Sequence, residues 1–176
     1  MTHLSVRAAA LASAMAATSF ALPAAAHVTL ETQEAKVGTY YKAVFRVPHG
    51  CNGEATHTVR VRVPEGFFAV KPMPKPGWKL DTVIGPYAQS YPDHGRTLTE
   101  GVREVVWSGG NLLDAHYEEF VMRGSLAGTL LTDKKLYFPV VQECTGSAAR
   151  WIEIPADGKG PGDYKSPAPG LKLLPR

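Results

Sequence analysis

Apolar and polar residues alternate along most of the chain from residue 27 onward. The clearest run is THTVRVRVP, Thr56 to Pro64, in which Val59, Val61 and Val63 fall on one side and Arg60 and Arg62 on the other. A period of two is that of a strand with one buried face, so this segment predicts a half-buried strand. YYKAVFRVP (40–48) repeats the pattern and also ends at proline. Further strands are predicted in VTLE (28–31), WKLDTVI (78–84), REVVWSG (103–109), YEEFVMRGSL (117–126), LYFPVVQEC (136–144) and RWIEIP (150–155). That makes about eight, with HGCNG, PKPG, GPYAQSYPDHG, SGGN and ECTGS as the turns between them. No segment longer than about ten residues has strong helical periodicity. Short, evenly spaced strands with Gly/Pro turns predict an all-β fold, an antiparallel β-sandwich of two sheets.

Both ends of the chain depart from this pattern. Residues 1–26 carry one positive charge, Arg7, then the apolar run AAALASAMAATSFAL, then the small residues Ala24, Ala25 and Ala26. A charged start, an apolar middle and an A-x-A site are the marks of a secretory signal peptide. The apolar run is shorter than the roughly 20 residues of a membrane span, and Pro23 follows it at once. Cleavage after Ala26 would start the mature protein at His27, in the periplasm or outside the cell, with no membrane anchor left. At the other end, residues 156–176 (ADGKGPGDYKSPAPGLKLLPR) are rich in Gly, Pro and Lys and read as an extended or disordered tail. The expected plan is a leader (1–26), a sandwich domain (27–155) and a tail (156–176). Whether LKLL docks on the sandwich is open at this level.

Charge and cysteine content narrow the function. Loss of Arg7 with the leader lowers the formal net charge from +3 to +2. The chain has no basic stripe with interleaved aromatics, which argues against nucleic acid as a partner. Its two cysteines, Cys51 and Cys144, are an even count in a protein expected to be exported, and the absence of a C-x-x-C spacing disfavours a metal site. A Cys51–Cys144 disulfide is therefore expected.

His27 becomes chemically special if cleavage follows Ala26. Its free α-amine and imidazole Nδ1 would then belong to one residue and could chelate one metal ion. Two nitrogens favour Cu(II), which takes tetragonal N/O ligands and tops the divalent affinity order. Reference pKa values are about 8 for an α-amine and about 6.5 for an imidazole, and both groups must lose a proton to bind. With the leader attached the backbone nitrogen is an amide and the chelate does not exist. On residues alone, His27 reads equally as the first residue after a convenient cleavage site.

At this point the chain resembles a known family. AHVTLE after a leader, YKAVFRVPHGCNGEATHTVRVRVPEGF, KPMPKPGWKLDT, VVWSGGNLLDAHYEEFVMRGSL, LYFPVVQECTGSAARWIEIP and SPAPGL occur in that order. Together they are similar to the YcnI-like family of exported copper-binding domains, over nearly all of the mature chain. The resemblance implies an immunoglobulin-like β-sandwich and a copper site called a mono-histidine brace. In such a site the N-terminal histidine binds through its amine and Nδ1, a glutamate adds an oxygen, and a tryptophan lies nearby. It implies His27 as the histidine, Trp151 as the tryptophan and Glu119, in YEEF, as the glutamate. It also implies a role in copper trafficking beside other exported copper carriers.

The residues themselves leave several points open. Alternation puts Glu118 and Glu119 on opposite faces of one strand, so only one can face inward. Without the resemblance, both read as ordinary strand charges at the rim. Glu31, Glu143 and Glu153 are rivals, each near His27 or Trp151 in sequence. Trp78, Trp107 and Trp151 all read equally well as core aromatics. His49, His57 and His94 read as surface or loop histidines, and Met73 as a packing residue. The chain has no G-x-S-x-G, H-E-x-x-H, P-loop or dinucleotide fingerprint, so binding is expected rather than catalysis. The competing expectation is a metal-independent interaction or assembly module of the cell envelope, with His27 incidental.

Overall fold

The computed structural model describes residues 27–176; the expected leader, 1–26, lies outside the described residues. The chain is almost entirely β. In order, the strands are β1 (Thr29–Leu30), β2 (Glu34–Lys36), β3 (Tyr40–Val47), β4 (Thr56–Arg62), β5 (Phe67–Pro72), β6 (Lys79–Asp93), β7 (Arg96–Leu112), β8 (Glu118–Leu126), β9 (Lys135–Tyr137), β10 (Val140–Cys144), β11 (Ala148–Trp151) and β12 (Gly170–Leu174). A single 3-10 turn, Pro161–Asp163, is the only helical element among the described residues.

Two antiparallel sheets face each other, one in the order β1-β3-β8-β5 and one in the order β11-β10-β4-β7-β6. Their inward residues supply the core. Phe45, Phe67, Phe120 and Met122 of the first sheet meet Val59, Val61 and Trp107 of the second, all fully buried. Phe138 joins them, its ring edge-on to Phe45 and Phe67 at 5.6 and 5.5 Å. The arginines that alternate with Val59 and Val61 point outward, and Arg60 pairs with Glu143 at 2.6 Å. The period of two in the sequence thus became one apolar face and one charged face.

The structure departs from the sequence pattern in several places: β2 and β5 were not expected, and the strand expected over 150–155 ends at Trp151. GPYAQSYPDHG and SGGN, expected as turns, lie largely within β6 and β7, which form one long hairpin. Pro86 and Pro92 are tolerated because β6 is an edge strand, and the register shifts between Pro86 and Tyr91. Only the tip of that segment turns: His94 and Gly95 have φ of 48° and 79°, the positive pair a tight two-residue hairpin requires. The predicted strand 136–144 is two strands, β9 and β10, separated at Phe138 and Pro139 because proline has no N–H for the ladder.

For residues 156–176 the sequence left docking open, and the fold places them. Instead of hanging free, this segment ends in β12, which pairs with β2 in parallel and with β9 antiparallel to make a small third sheet. Ala168, Leu171 and Leu173 are buried. Alternating leucines in GLKLL supply the inward face, and burying two of them is worth about 3–6 kcal/mol before ordering costs. The small third sheet thus packs this segment's leucines into the core.

Cys51 and Cys144 are joined, with their Cα atoms 6.1 Å apart. The bond ties the loop ahead of β4 to the end of β10. It closes a loop of 93 residues, for which chain-entropy arguments give about 4–5 kcal/mol.

Candidate metal centre

β1 and β11 are edge strands of opposite sheets, and the two edges meet on one side of the molecule. His27 stands just ahead of β1. Val28 and Leu30 anchor it by entering the core, at 2 % and 1 % exposure. Trp151 ends β11, opposite Val140. The imidazole and indole centroids are 5.6 Å apart, with the planes tilted by 59°. The structure thus brings together the histidine and the tryptophan singled out in the sequence. Trp107 and Trp78 lie elsewhere, both against Phe120.

The His27 imidazole is held in an unusual state. Its Nε2 is buried and has no hydrogen-bond partner among the described residues. An orphaned buried polar atom costs about 1–3 kcal/mol; this nitrogen is not the Nδ1 that an N-terminal chelate would use. Residue His27 also lines a cavity of about 160 Å³, together with Gln33, Tyr137 and the proline-rich segment that contributes Pro155, Pro161, Pro167 and Pro169. No carboxylate lines this cavity.

Trp151 is held from behind. Its Nε1–H donates to Gln142 Oε1 at 3.1 Å. Gln142 is fully buried, and its Nε2 donates to the His49 carbonyl at 2.6 Å and to Thr56 Oγ1 at 2.7 Å. Sequence reasoning missed Gln142. The signal was present in VVQEC, where it falls in the inward phase with Val140, but a lone polar residue in that phase reads equally as a strand end.

The candidate glutamate is placed differently. Phe120 faces the core, so Glu118 takes the inward side of β8 and Glu119 the outer side. Glu119 lies opposite Arg46, which lies opposite Thr29. Arg46 approaches Glu119 at 3.7 Å and Glu31 at 3.4 Å, and the Tyr117 hydroxyl donates to Glu119 at 3.5 Å. Glu119 thus shares the sheet of His27, but the structure brings the two into no contact. Each acid is partnered by a cation: Glu118 meets Lys75 at 2.7 Å. Burial alone would push Glu118 up; the Lys75 ammonium and the Glu119 N–H outweigh it and hold the carboxyl below the usual range.

The rival glutamates are also engaged. Glu143 takes Arg60, and Glu153 accepts the Ser166 N–H. No group of three or more His, Cys, Asp and Glu side chains able to hold a metal forms among the described residues. An N-terminal chelate needs no such group, because one residue supplies two of its donors. Three other histidines have partners: His57 bonds the Gly110 carbonyl and Thr145 Oγ1, His49 the Gly50 carbonyl and His94 the Tyr40 hydroxyl.

Comparison with known proteins agrees with this architecture. The family described as a domain of unknown function (DUF1775) matches residues 27–173, and the chain belongs to it. The solved structures include an uncharacterized protein from Nocardia farcinica described as revealing an immunoglobulin-like fold. It is similar to this chain at a TM-score of 0.62 and 23% identity, over 84% of this chain and 97% of that one. The sandwich described above is thus immunoglobulin-like. Comparison with curated proteins gives no significant match.

Proposed function

We propose that this DUF1775 protein is an exported Cu(II)-binding protein of copper trafficking or homeostasis. It is made functional by removal of the residues before His27. The observation that carries the reading is the apposition of His27 and Trp151, their ring centroids 5.6 Å apart. The freed α-amine and Nδ1 of His27 would hold the metal, and copper bound there supplies a redox-active ion that a partner can accept. Glu119 is the proposed carboxylate, and it must leave Arg46 to bind. Trp151 shields one side of the ion, since an indole N–H is a donor only and no ordinary ligand. With one imidazole and a carboxylate rather than a set of three nitrogens, the centre suits carriage of copper rather than oxygen activation. Other exported copper carriers are the proposed partners.

Titration of the exported protein with Cu(II), read by electron paramagnetic resonance and chelator competition, tests this. One equivalent should bind tightly, with nitrogen hyperfine structure. A form carrying one extra residue ahead of His27 should lose that binding; equal affinity in the two forms sinks the proposal. Affinity should also fall as the solution is made more acidic, because protons compete with the metal for its ligands.

A further inference from the structure

We infer that Gln142 is the positioning residue that aims Trp151 at His27. Its geometry stands on the contacts alone; its consequence for copper rests on the function proposed above.

β10 places Gln142 inward, between Val59 of β4 and Ala149 of β11 in the register of the sheet. A buried amide in such an apolar setting is unfavourable unless its hydrogen bonds are made. Gln142 makes them in one orientation only. Its NH₂ faces two acceptors, the His49 carbonyl and Thr56 Oγ1. Reversing the amide would set its carbonyl against the carbonyl of His49. Oε1 is therefore committed to the remaining direction, where the Trp151 N–H meets it at 3.1 Å. An indole has no other polar atom, so this bond fixes how the ring is rotated.

The scaffold behind Gln142 is itself restrained. Thr56 is fully buried. His49 lies two residues before Cys51, and Gln142 two residues before Cys144, so the disulfide closes the loop that carries one of the acceptors. A continuous line of contacts runs from the disulfide through His49 and Gln142 to Trp151 and the His27 imidazole. Trp151 needs such an anchor, because β11 is a short edge strand. Trp107 differs: it is fully enclosed by the core, and its N–H is taken by the Met73 carbonyl.

The test uses Gln142→Met, which keeps the side chain's length and removes the acceptor. In NMR spectra of the metal-free full chain, the Trp151 indole N–H should move upfield and exchange faster. The His27 ring protons should lose part of their ring-current shift, and the Trp107 indole should stay in place. Unchanged His27 shifts would overturn the inference. If the variant does not fold, hydrogen exchange of the unmodified protein decides instead. A Trp151 indole N–H protected at least about tenfold beyond a free indole supports the bond, and exchange at the free rate overturns it. In the copper arm, Gln142→Met should weaken Cu(II) binding by about 10- to 100-fold and alter the paramagnetic spectrum, as loss of outer-shell support does elsewhere. Failure of the unmodified protein to bind Cu(II) would strike the copper reading and leave the NMR arms to decide the positioning role.

Discussion

The two histidines His27 and His94 mark opposite cases. His94 sits at the tip of the β6–β7 hairpin, exposed, with its imidazole bonded to the Tyr40 hydroxyl at 2.8 Å. Behind the tip, a second apolar cluster of Phe68, Tyr87, Tyr91 and Ala127 holds the hairpin down, with Phe68 and Tyr91 stacked at 4.4 Å. At His27 an imidazole nitrogen is buried without a partner, next to an indole held in place from behind. The contrast teaches that a histidine's type says little, and its unmet bonding says more. His94 is part of how a hairpin ends, whereas His27 packs against an indole where two sheet edges come together.

The comparison can be broken at several points. The largest effect should come from the disulfide, which closes the long loop from Cys51 to Cys144. Reduction of Cys51–Cys144 should cost about 4–5 kcal/mol, read as a lower urea midpoint, and a change under about 1 kcal/mol would show that the loop is held without it. Next, His27→Ala should weaken Cu(II) binding by at least about 100-fold, or about 2.7 kcal/mol, while His94→Ala leaves it unchanged. Equal losses at the two positions would erase the distinction between them.

On the hairpin side, the Tyr91 hydroxyl accepts the buried Gly66 N–H and donates to Glu65. Tyr91→Phe should cost about 1–2 kcal/mol in thermal or urea unfolding without touching copper affinity. The smallest effect should be at Glu118. Its carboxyl is lowered in the folded protein, so its contribution is present above the unfolded value, about 4.3, and lost as pH falls through the folded one. Because the pair is partly exposed, Glu118→Gln should remove under about 1 kcal/mol at pH 7 and flatten the acid limb of the stability curve by as little.

Much of the sandwich was legible residue by residue. Val59, Val61 and Val63 announced an inward face because strand side chains alternate. Two cysteines in a chain with an exported look announced their pairing. The hairpin was not legible, because GPYAQSYP carries the residues of a turn, and only its place at a sheet edge lets it be a strand. At the candidate centre, His27 was conspicuous at the junction with the leader pattern. Trp151 was separable from Trp78 and Trp107 only through family resemblance. Which of Glu118 and Glu119 faces inward hung on the phase of Phe120, and the partners Lys75 and Arg46 lie far away in sequence.

The sequence by itself therefore determined the all-β class and the disulfide, because periodicity and cysteine count are local properties. The tertiary structure alone decided that the edges of two sheets meet at His27, that GLKLL is a core strand and that Gln142 stands behind Trp151. Those facts depend on strand order and register, which set residues 93 positions apart within bonding distance of each other. No local pattern encodes that separation.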